Sequence, residues 1–285
     1  MTHDASHDST PDTAQSGRRQ DGPTPEMHDG VVVGSRAAAN LDRDARPSEL
    51  RDVVAAVKQN VGVVIVAGGS GTRVGGTELK QFRWVAGKPM VLHSLQTFQL
   101  RPDVALVVVV LPRDFAADPP PWIFQCDIDR MLVSTGGRDR MQSVYNGLED
   151  MPENIDIVVI HDAARPLASG TVIDRVIREA HNGHGAIAAL PVVDTLKEVD
   201  TEGQIVRTVD RTNLWRAQTP QAFPRAMIDE VHTRARRDKL QATDDAALCE
   251  HYGFPVVVVR GSERGMKVTD AADFETAESL SVLRE

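Results

Sequence analysis

From about residue 60 onwards, the chain alternates short apolar runs with amphipathic stretches. The apolar runs, which are rich in β-branched residues, predict buried strands at 63–67, 104–111, 131–133, 155–160, 186–190 and 256–259. The stretches between them predict helices at 89–100, 140–148, 169–181, 225–236, 244–251 and 270–283. This alternation predicts an α/β fold in which a mostly parallel, twisted sheet carries helices on both faces.

Two segments depart from this pattern. Residues 192–216 are extended and rich in Thr and Asp, and they predict a two-stranded arm with a turn near 201–203. Because an isolated two-stranded ribbon is only marginally stable in water, we expect the arm to pack against a second copy of the chain in a homodimer. Residues 1–57 are polar and predict a disordered tail, which leaves 58–285 as one domain.

The composition argues against several classes of protein. The formal net charge is −9, which argues against broad binding to nucleic acids, and no apolar run reaches the length of a membrane span. The tail lacks the basic start and apolar core of a secretory signal. Cys126 and Cys249 stand apart, without a Cys-x-x-Cys pair, which favours a reducing, cytoplasmic location and argues against a structural zinc.

The strongest chemical signal lies in the run VGVVIVAGGSGTRVGGTELK, which follows the tail. A buried strand there ends in a glycine loop, which lets backbone N–H groups approach an anion, and two cations follow. The residues concerned are Gly68, Gly69 and Gly71, then Arg73 and Lys80. The run therefore predicts a polyphosphate site. It is not a P-loop, since no Gly-Lys-Ser/Thr closes it, and it lacks the third glycine of the dinucleotide fingerprint. An ordinary surface turn is the alternative.

A second signal follows another predicted strand, in the sequence HDAARP at 161–166. Asp162 stands at the carboxyl end of that strand, where ligands bind in open α/β sheets. A carboxylate beside a polyphosphate predicts a Mg²⁺ site. A local ion pair between Asp162 and Arg165 is the alternative. We interpret His161 as a packed residue, because nothing nearby marks it for proton transfer.

Three weaker signals accompany these two. The sequence TGGRDRMQS at 135–143 places two glycines at a predicted helix start, with Arg140 and Ser143 one turn apart and able to face one pocket. Arg211, on the predicted arm, suits bidentate binding of a phosphate, or else is a solvated cation on a polar ribbon. Lys267 lies near the end of the chain, before a predicted helix. By itself this position does not indicate a function.

Together these motifs resemble the 2-C-methyl-D-erythritol 4-phosphate cytidylyltransferases (the IspD family) of the non-mevalonate isoprenoid pathway. The resemblance is carried, in order, by AGGSGTR at 67–73, KQF at 80–82, GGRDR at 136–140 with Ser143, HDAARP at 161–166, DT at 194–195, DRTNLW at 210–215, TPQ at 219–221 and KVT at 267–269. It implies a Rossmann-like nucleotidyltransferase fold with a protruding β-arm. The implied reaction converts CTP and 2-C-methyl-D-erythritol 4-phosphate into 4-diphosphocytidyl-2-C-methyl-D-erythritol and pyrophosphate.

The resemblance also implies roles for single residues. The implied catalytic cations are Arg73, Lys80, Arg211 and Lys267, and Asp162 would hold Mg²⁺. The implied nucleotide-binding residues are Ala67, Gly68, Gly69, Gly71, Gly137, Asp139, Arg140, Ser143, Ala163 and Arg165. Thr195 and Arg211 would come from the arm of the other subunit and grip the phosphate of the second substrate. The active enzyme would then be a homodimer with exchanged arms.

Other activities remain as alternatives. The ribitol-5-phosphate cytidylyltransferases share the fold and chemistry, and their glycine loop more often has the form found here. The arm sequence and the two alanines of HDAARP favour the methylerythritol enzymes instead. A uridylyl- or guanylyltransferase for sugar phosphates is a more distant alternative. A CTP-binding regulatory module without catalysis is a further one, against which the intact cations and Asp162 argue.

Overall fold

The computed structural model describes residues 58–69 and 79–283. The predicted tail at 1–57 and the loop residues Gly71 and Arg73 lie outside the described residues. The strands are β1 (Val61–Val66), β2 (Trp84–Val85), β3 (Lys88–Pro89), β4 (Val104–Leu111), β5 (Met131–Thr135), β6 (Ile157–Asp162), β7 (Gly185–Pro191), β8 (Leu196–Val199), β9 (Ile205–Val209), β10 (Trp215–Pro224) and β11 (Val256–Arg260). The α-helices are α1 (Met90–Gln99), α2 (Arg113–Ala117), α3 (Arg140–Glu149), α4 (Gly170–His181), α5 (Arg225–Asp238), α6 (Asp245–His251) and α7 (Ala271–Ser281).

Seven of these strands form one sheet in the order β11-β7-β10-β6-β1-β4-β5. Strands β5, β4, β1 and β6 run parallel to one another, and β11 runs parallel to β7. Strand β10 lies antiparallel between β6 and β7. The sheet is therefore mostly parallel, as the alternation of apolar runs and amphipathic stretches predicted.

Both faces of this sheet are buried, because side chains alternate between the faces along each strand. In β1, Val63 and Ile65 pack into one core with α1 and α4. Val64 points the other way and packs with α3, α5 and α6. The prediction of helices on both faces is confirmed. In residues 58–69 and 79–283, no helix combines the length and apolar character that a membrane crossing requires.

Strand β10 was not predicted, because its sequence WRAQTPQAFP lacks an apolar, β-branched run. In the structure Ala222 and Phe223 pair with β6, and Arg216 and Ala217 pair with β7. Pairing on both sides lets the strand form despite its weak intrinsic preference. The helix α2 was not predicted either, and a 3-10 helix at Pro121–Gln125 occupies part of the predicted loop at 119–121.

Strands β8 and β9 form a separate two-stranded antiparallel hairpin, with Leu196 opposite Val209. The hairpin lies within the segment 192–216 that we predicted as an arm, and the last two residues of that segment already belong to β10. Most of the hairpin's side chains are exposed.

The parallel strands end level with one another at one edge of the sheet. Val66 of β1 is opposite both Val110 of β4 and Asp162 of β6. Leu111 of β4 is opposite Thr135 of β5. The loops that follow β1, β5 and β6 therefore meet at the carboxyl edge, where ligands bind in open α/β sheets.

Candidate active site

A cavity of about 1300 Å³ opens at the carboxyl edge of the sheet. Among the described residues, its lining carries five cationic side chains, on Lys80, Arg113, Arg138, Arg140 and Lys267, against two carboxylates, on Asp139 and Asp162. Other predicted residues that line it are Ala67, Gly68, Gly69, Gly137, Ser143 and Ala163. An excess of positive charge in a cleft of a protein with net charge −9 suits an anionic ligand.

Two glycine loops approach each other closely in the lining of this cavity. A Cβ atom placed on Gly68 would lie 3.0 Å from Cα of Gly136 and 3.1 Å from Oγ of Ser143, so neither glycine leaves room for a larger residue. Gln81 holds the start of the first loop, because its Nε2 donates to the carbonyl oxygens of Ala67 at 2.7 Å and Gly69 at 2.9 Å. The backbone is thus brought close to the space that a ligand would fill.

The second loop is fixed by the start of α3. Asp139 caps this helix, accepting a hydrogen bond from the backbone N–H of Gln142 at 2.8 Å. Ser143 Oγ donates to the carbonyl of Asp139 and accepts from the backbone N–H of Gly137 at 3.1 Å. Gly137, Asp139 and Ser143, which we predicted as nucleotide-binding residues, are therefore joined to one another.

Asp162 stands on the cavity wall, with three cations around its carboxylate. Oδ1 lies 3.2 Å from Nε of Arg140, and Oδ2 lies 2.8 Å from Nζ of Lys267 and 3.8 Å from Nε of Arg165. Burial alone would raise the pKa of Asp162, but Arg140, Lys267 and Arg165 outweigh it and hold the pKa far below its usual range. The carboxylate is therefore ionised, and the local pair with Arg165 is only one part of a larger network.

Arg140 is shared between two carboxylates. Its Nη1 donates to Oδ2 of Asp245 at 2.6 Å, while its Nε faces Asp162. Asp245 is fully buried, and its Oδ1 lies 2.9 Å from Nε2 of His232. Burial would raise the pKa of Asp245, but Arg140 and His232 lower it below its ordinary value. A chain of contacts thus runs from the helix pair α5 and α6 to the cavity.

His161 is a packed residue, as predicted. Nε2 of His161 lies 3.0 Å from the carbonyl oxygen of Arg165, which can only accept, so Nε2 is the donor. In the neutral ring Nδ1 is then an acceptor, and it receives the proton of Thr219 Oγ1 at 3.1 Å, while that hydroxyl also accepts from the backbone N–H of Asp162 at 3.0 Å. Burial lowers the pKa of His161 to about 4, which keeps the ring neutral in this arrangement.

The remaining predicted residues fall into two groups. Lys80 lies at the cavity, with Nζ 2.8 Å from the carbonyl of Val268, directly after Lys267 in the chain. Arg165 does not line the cavity, because Nη1 donates to the carbonyl of Gly265 at 2.6 Å. Thr195 and Arg211, which flank the hairpin of β8 and β9, are exposed and do not line it either.

The residues at the cavity fit a Mg²⁺ ion that is shared with a substrate. Mg²⁺ is often held by one or two carboxylates together with substrate phosphates, and Asp162 offers one ionised carboxylate. In the described part of the chain, no three His, Cys, Asp or Glu side chains cluster in a way that could hold a metal. Phosphate oxygens and water would therefore supply the other ligands.

Sequence reasoning gave Gln81 no role beyond its place in the KQF motif, and it missed Asp245 and His232 as parts of the site. The TDDAA run around Asp245 predicts only a helix cap. His232 shares the apolar face of α5 with Ile228 and Val231, so its position predicts burial without naming a partner. No signal in the sequence joins either residue to Arg140.

Comparison with known proteins agrees with the site. Residues 61–283 match the protein family described as IspD: 2-C-methyl-D-erythritol 4-phosphate cytidylyltransferase. The chain is similar to the 2-C-methyl-D-erythritol 4-phosphate cytidylyltransferase of Syntrophus aciditrophicus, with 41% identity over 227 residues that cover 79% of this chain and 97% of that protein. Its identity to the protein of the same name from Aquifex aeolicus is 39%, over 76% of this chain and 95% of that one.

Solved structures show the same relationship. The crystal structure of 2-C-methyl-D-erythritol 4-phosphate cytidylyltransferase from Thermus thermophilus aligns with a TM-score of 0.66 at 34% identity, covering 79% of this chain and 100% of that chain. The predicted nucleotidyltransferase fold is thereby confirmed. Since the family match spans nearly all of the described residues, the chain belongs to the 2-C-methyl-D-erythritol 4-phosphate cytidylyltransferase family.

Proposed function

We propose that this protein transfers CMP from CTP to 2-C-methyl-D-erythritol 4-phosphate. A phosphate oxygen of the second substrate attacks the α-phosphorus of CTP, and the bond from that phosphorus to the bridging oxygen of the β-phosphate breaks. The products are 4-diphosphocytidyl-2-C-methyl-D-erythritol and pyrophosphate. The observation that carries the proposal is the convergence of both glycine loops, Asp162, Lys80 and Lys267 on one cationic cavity.

The attacking group needs no strong general base, because it is already a phosphate anion. Catalysis then depends on positioning and on cations placed where negative charge develops. Lys80 and Lys267 line the cavity and suit this role. We assign the same role to Arg73, because it is the last residue of the AGGSGTR motif at 67–73. The buried, hydrogen-bonded position of His161 supports a structural rather than a proton-transfer role for that residue.

We assign the nucleotide to the two glycine loops. Gly68, Gly69 and Gly71 would cradle the phosphates, with Ala67 at the start of the loop. Gly137, Asp139, Ser143 and Ala163 would contact cytosine and ribose, together with Arg140, which lines the cavity, and Arg165, which lies off its lining. Asp162 would hold a Mg²⁺ ion, which when bound neutralises phosphate charge.

The arm supports the proposal of a homodimer. It exposes apolar side chains that a monomer would leave in water, among them Val193 at 68% and Ile205 at 64% of full exposure. Thr195 and Arg211 do not line their own cavity. A partner's arm would bring these two residues to the phosphate of the second substrate, which makes the dimer a condition of activity.

We also propose the limits of the domain and the location of the enzyme in the cell. We assign 58–285 to the cytidylyltransferase domain and 1–57 to a tail. Cys126 and Cys249 are both free, which supports a cytoplasmic location.

The test is pyrophosphate release from CTP and Mg²⁺, with 2-C-methyl-D-erythritol 4-phosphate and ribitol 5-phosphate offered in parallel. We expect release with the methylerythritol substrate alone. Release only with ribitol 5-phosphate would move the substrate assignment to the sister activity. Release with neither substrate, despite CTP binding, would indicate a regulatory module and overturn the proposed reaction.

A further inference from the structure

A buried carboxylate stands behind the active site without touching the cavity. Asp245, the first residue of α6, is fully buried, and it does not line the cavity that Arg140 and Asp162 line. Among the described residues, Arg140 joins it to the site, with Nη1 2.6 Å from Oδ2 of Asp245. Removing a carboxylate from water costs free energy, so a buried charge at this position suggests that the carboxylate has a role.

We propose that Asp245, held in turn by His232, is a positioning residue that fixes Arg140 against Asp162 and so orders the nucleotide side of the active site. The inference rests on the proposed function, since it concerns how the chain binds CTP.

The geometry of Arg140 explains why a second carboxylate is needed. A guanidinium is planar and carries its donors in a rigid fork, so contacts on two edges fix its orientation. Asp162 contacts Nε at 3.2 Å from the cavity side, and Asp245 contacts Nη1 at 2.6 Å from the protein interior. The shorter contact is the one to the buried residue. Without Asp245, Arg140 would keep one partner and could turn about its long side chain.

His232 completes this support. Asp245 is ionised and can only accept hydrogen bonds, so Nε2 of His232 is the donor in the 2.9 Å contact with Oδ1. The two oxygens of Asp245 are then divided between His232 and Arg140. A buried carboxylate with both oxygens engaged has a defined orientation, which it passes on to the guanidinium.

The support acts on the nucleotide rather than on the second substrate. Arg140 is the first residue of α3, directly after Asp139, which we assign with Gly137 to cytosine and ribose. In metal sites, residues that orient the ligating groups from behind typically change affinity or activity by about 10- to 100-fold when replaced, and we use this size by analogy. We expect a loss of this size for CTP, with little change for the phosphate-binding arm.

The experiment compares Asp245→Asn, His232→Leu and His232→Gln. Gln can place its Nε2 donor where the histidine has its own, whereas Leu fills similar space without a donor. For Asp245→Asn we expect kcat/KM for CTP to fall about 10- to 100-fold while KM for 2-C-methyl-D-erythritol 4-phosphate stays within about twofold. His232→Leu should show a smaller loss of the same kind, and His232→Gln should restore most of it.

Binding of CTP with Mg²⁺, measured by calorimetry without the second substrate, gives a readout independent of turnover. It should weaken in Asp245→Asn and His232→Leu. Asp229→Asn is the matched control, because Asp229 lies on α5 like His232 but pairs with Arg225. If Asp245→Asn does not fold, the two His232 variants carry the test.

Three outcomes separate the possibilities. A purely structural role would be shown, and the inference overturned, by either of two results. One is an equal loss of kcat/KM for both substrates, and the other is a fall in melting temperature with unchanged kinetics and CTP binding. Equal behaviour of His232→Gln and His232→Leu would overturn the part assigned to His232. Inactivity of the unmodified protein with either substrate would instead contradict the proposed function, whereas weaker CTP binding in the variants would still support the positioning role.

Discussion

Lys267 donates a hydrogen bond of 2.8 Å from Nζ to Oδ2 of Asp162, a residue 105 positions earlier in the chain. The side chain of Asp162 is about one-tenth exposed, whereas that of Lys267 is 43% exposed. The lysine is therefore the partner that can leave. We therefore expect Lys267 to turn to a phosphate group that binds in the cavity, while Arg140 keeps its place beside Asp162.

Asp162 should be required for turnover. Asp162→Asn removes the negative charge that faces Arg140 and Lys267, and with it the proposed Mg²⁺ ligand. We expect kcat to fall by about two to three orders of magnitude. Steady-state pyrophosphate release at saturating substrates measures it, with circular dichroism to confirm folding. A folded variant with near-native kcat would contradict the role assigned to Asp162.

Lys80 should contribute as much to turnover as Asp162, because it lines the cavity in which negative charge develops during the reaction. We expect Lys80→Ala, and likewise Arg73→Ala, to lower the rate by about two to three orders of magnitude. Lys88→Ala is the matched control, since Lys88 donates to Gln96 at 2.5 Å and does not line the cavity. Rates of either site variant close to that of the control would argue against electrostatic catalysis by these cations.

The close approach of the two glycine loops can be tested by adding a single methyl group. In Gly68→Ala, the new Cβ would lie 3.0 Å from Cα of Gly136, and backbone cannot easily give way. We expect a loss of about 1–3 kcal/mol in the free energy of unfolding, as for other overpacked sites, and weaker CTP binding. Chemical denaturation and calorimetry measure these.

Gly170→Ala serves as the control for this prediction, because a Cβ on Gly170 has nothing within 4 Å. It should leave stability and CTP binding close to those of the unmodified protein. A Gly68→Ala variant that is equally unaffected would mean that the loops separate without cost.

A shared active site predicts complementation between inactive chains. Lys80→Ala damages the cavity and Arg211→Ala damages the arm, so a mixed dimer retains one site with neither change if arms are exchanged. Mixing the two inactive variants should restore part of the activity. Dimer formation and subunit exchange are measured separately, by light scattering and by mass spectrometry of labelled chains. Confirmed exchange without recovered activity would count against arm exchange.

The two cysteines should resist alkylation in the folded protein. Burial disfavours the charged thiolate, and it raises the pKa of Cys126 to about 11 and that of Cys249 to about 12. At pH 8 only about one Cys126 thiol in a thousand is then ionised, and the fraction grows about tenfold per pH unit up to pH 10. Iodoacetamide labelling followed by mass spectrometry measures this.

The control for the thiol experiment is the chain in denaturant, in which both cysteines should react readily at pH 8. Fast labelling of Cys126 in the folded protein near neutral pH would contradict the half-buried position of its thiol.

Much of the fold follows from local pattern. The apolar runs at β1, β4 and β6 are continuous because these strands are buried on both faces, which is the expected sign of a central parallel sheet. Strand β10 could not be predicted in this way. Its sequence is polar and contains prolines, and it forms a strand because β6 and β7 supply hydrogen-bonding partners on either side.

The sequence by itself determined the order of most elements, the two glycine loops and the candidate groups Asp162 and Lys80, whereas Lys267 gained its role only from the family motif. These depend on periodicity and on the chemistry of single residues, both of which are local. Only the tertiary structure decided that Arg140 joins Asp162 to the buried Asp245, and that Arg165 turns away from the cavity to Gly265. Such contacts depend on which distant segments the packed sheet brings together, and local sequence patterns do not predict this.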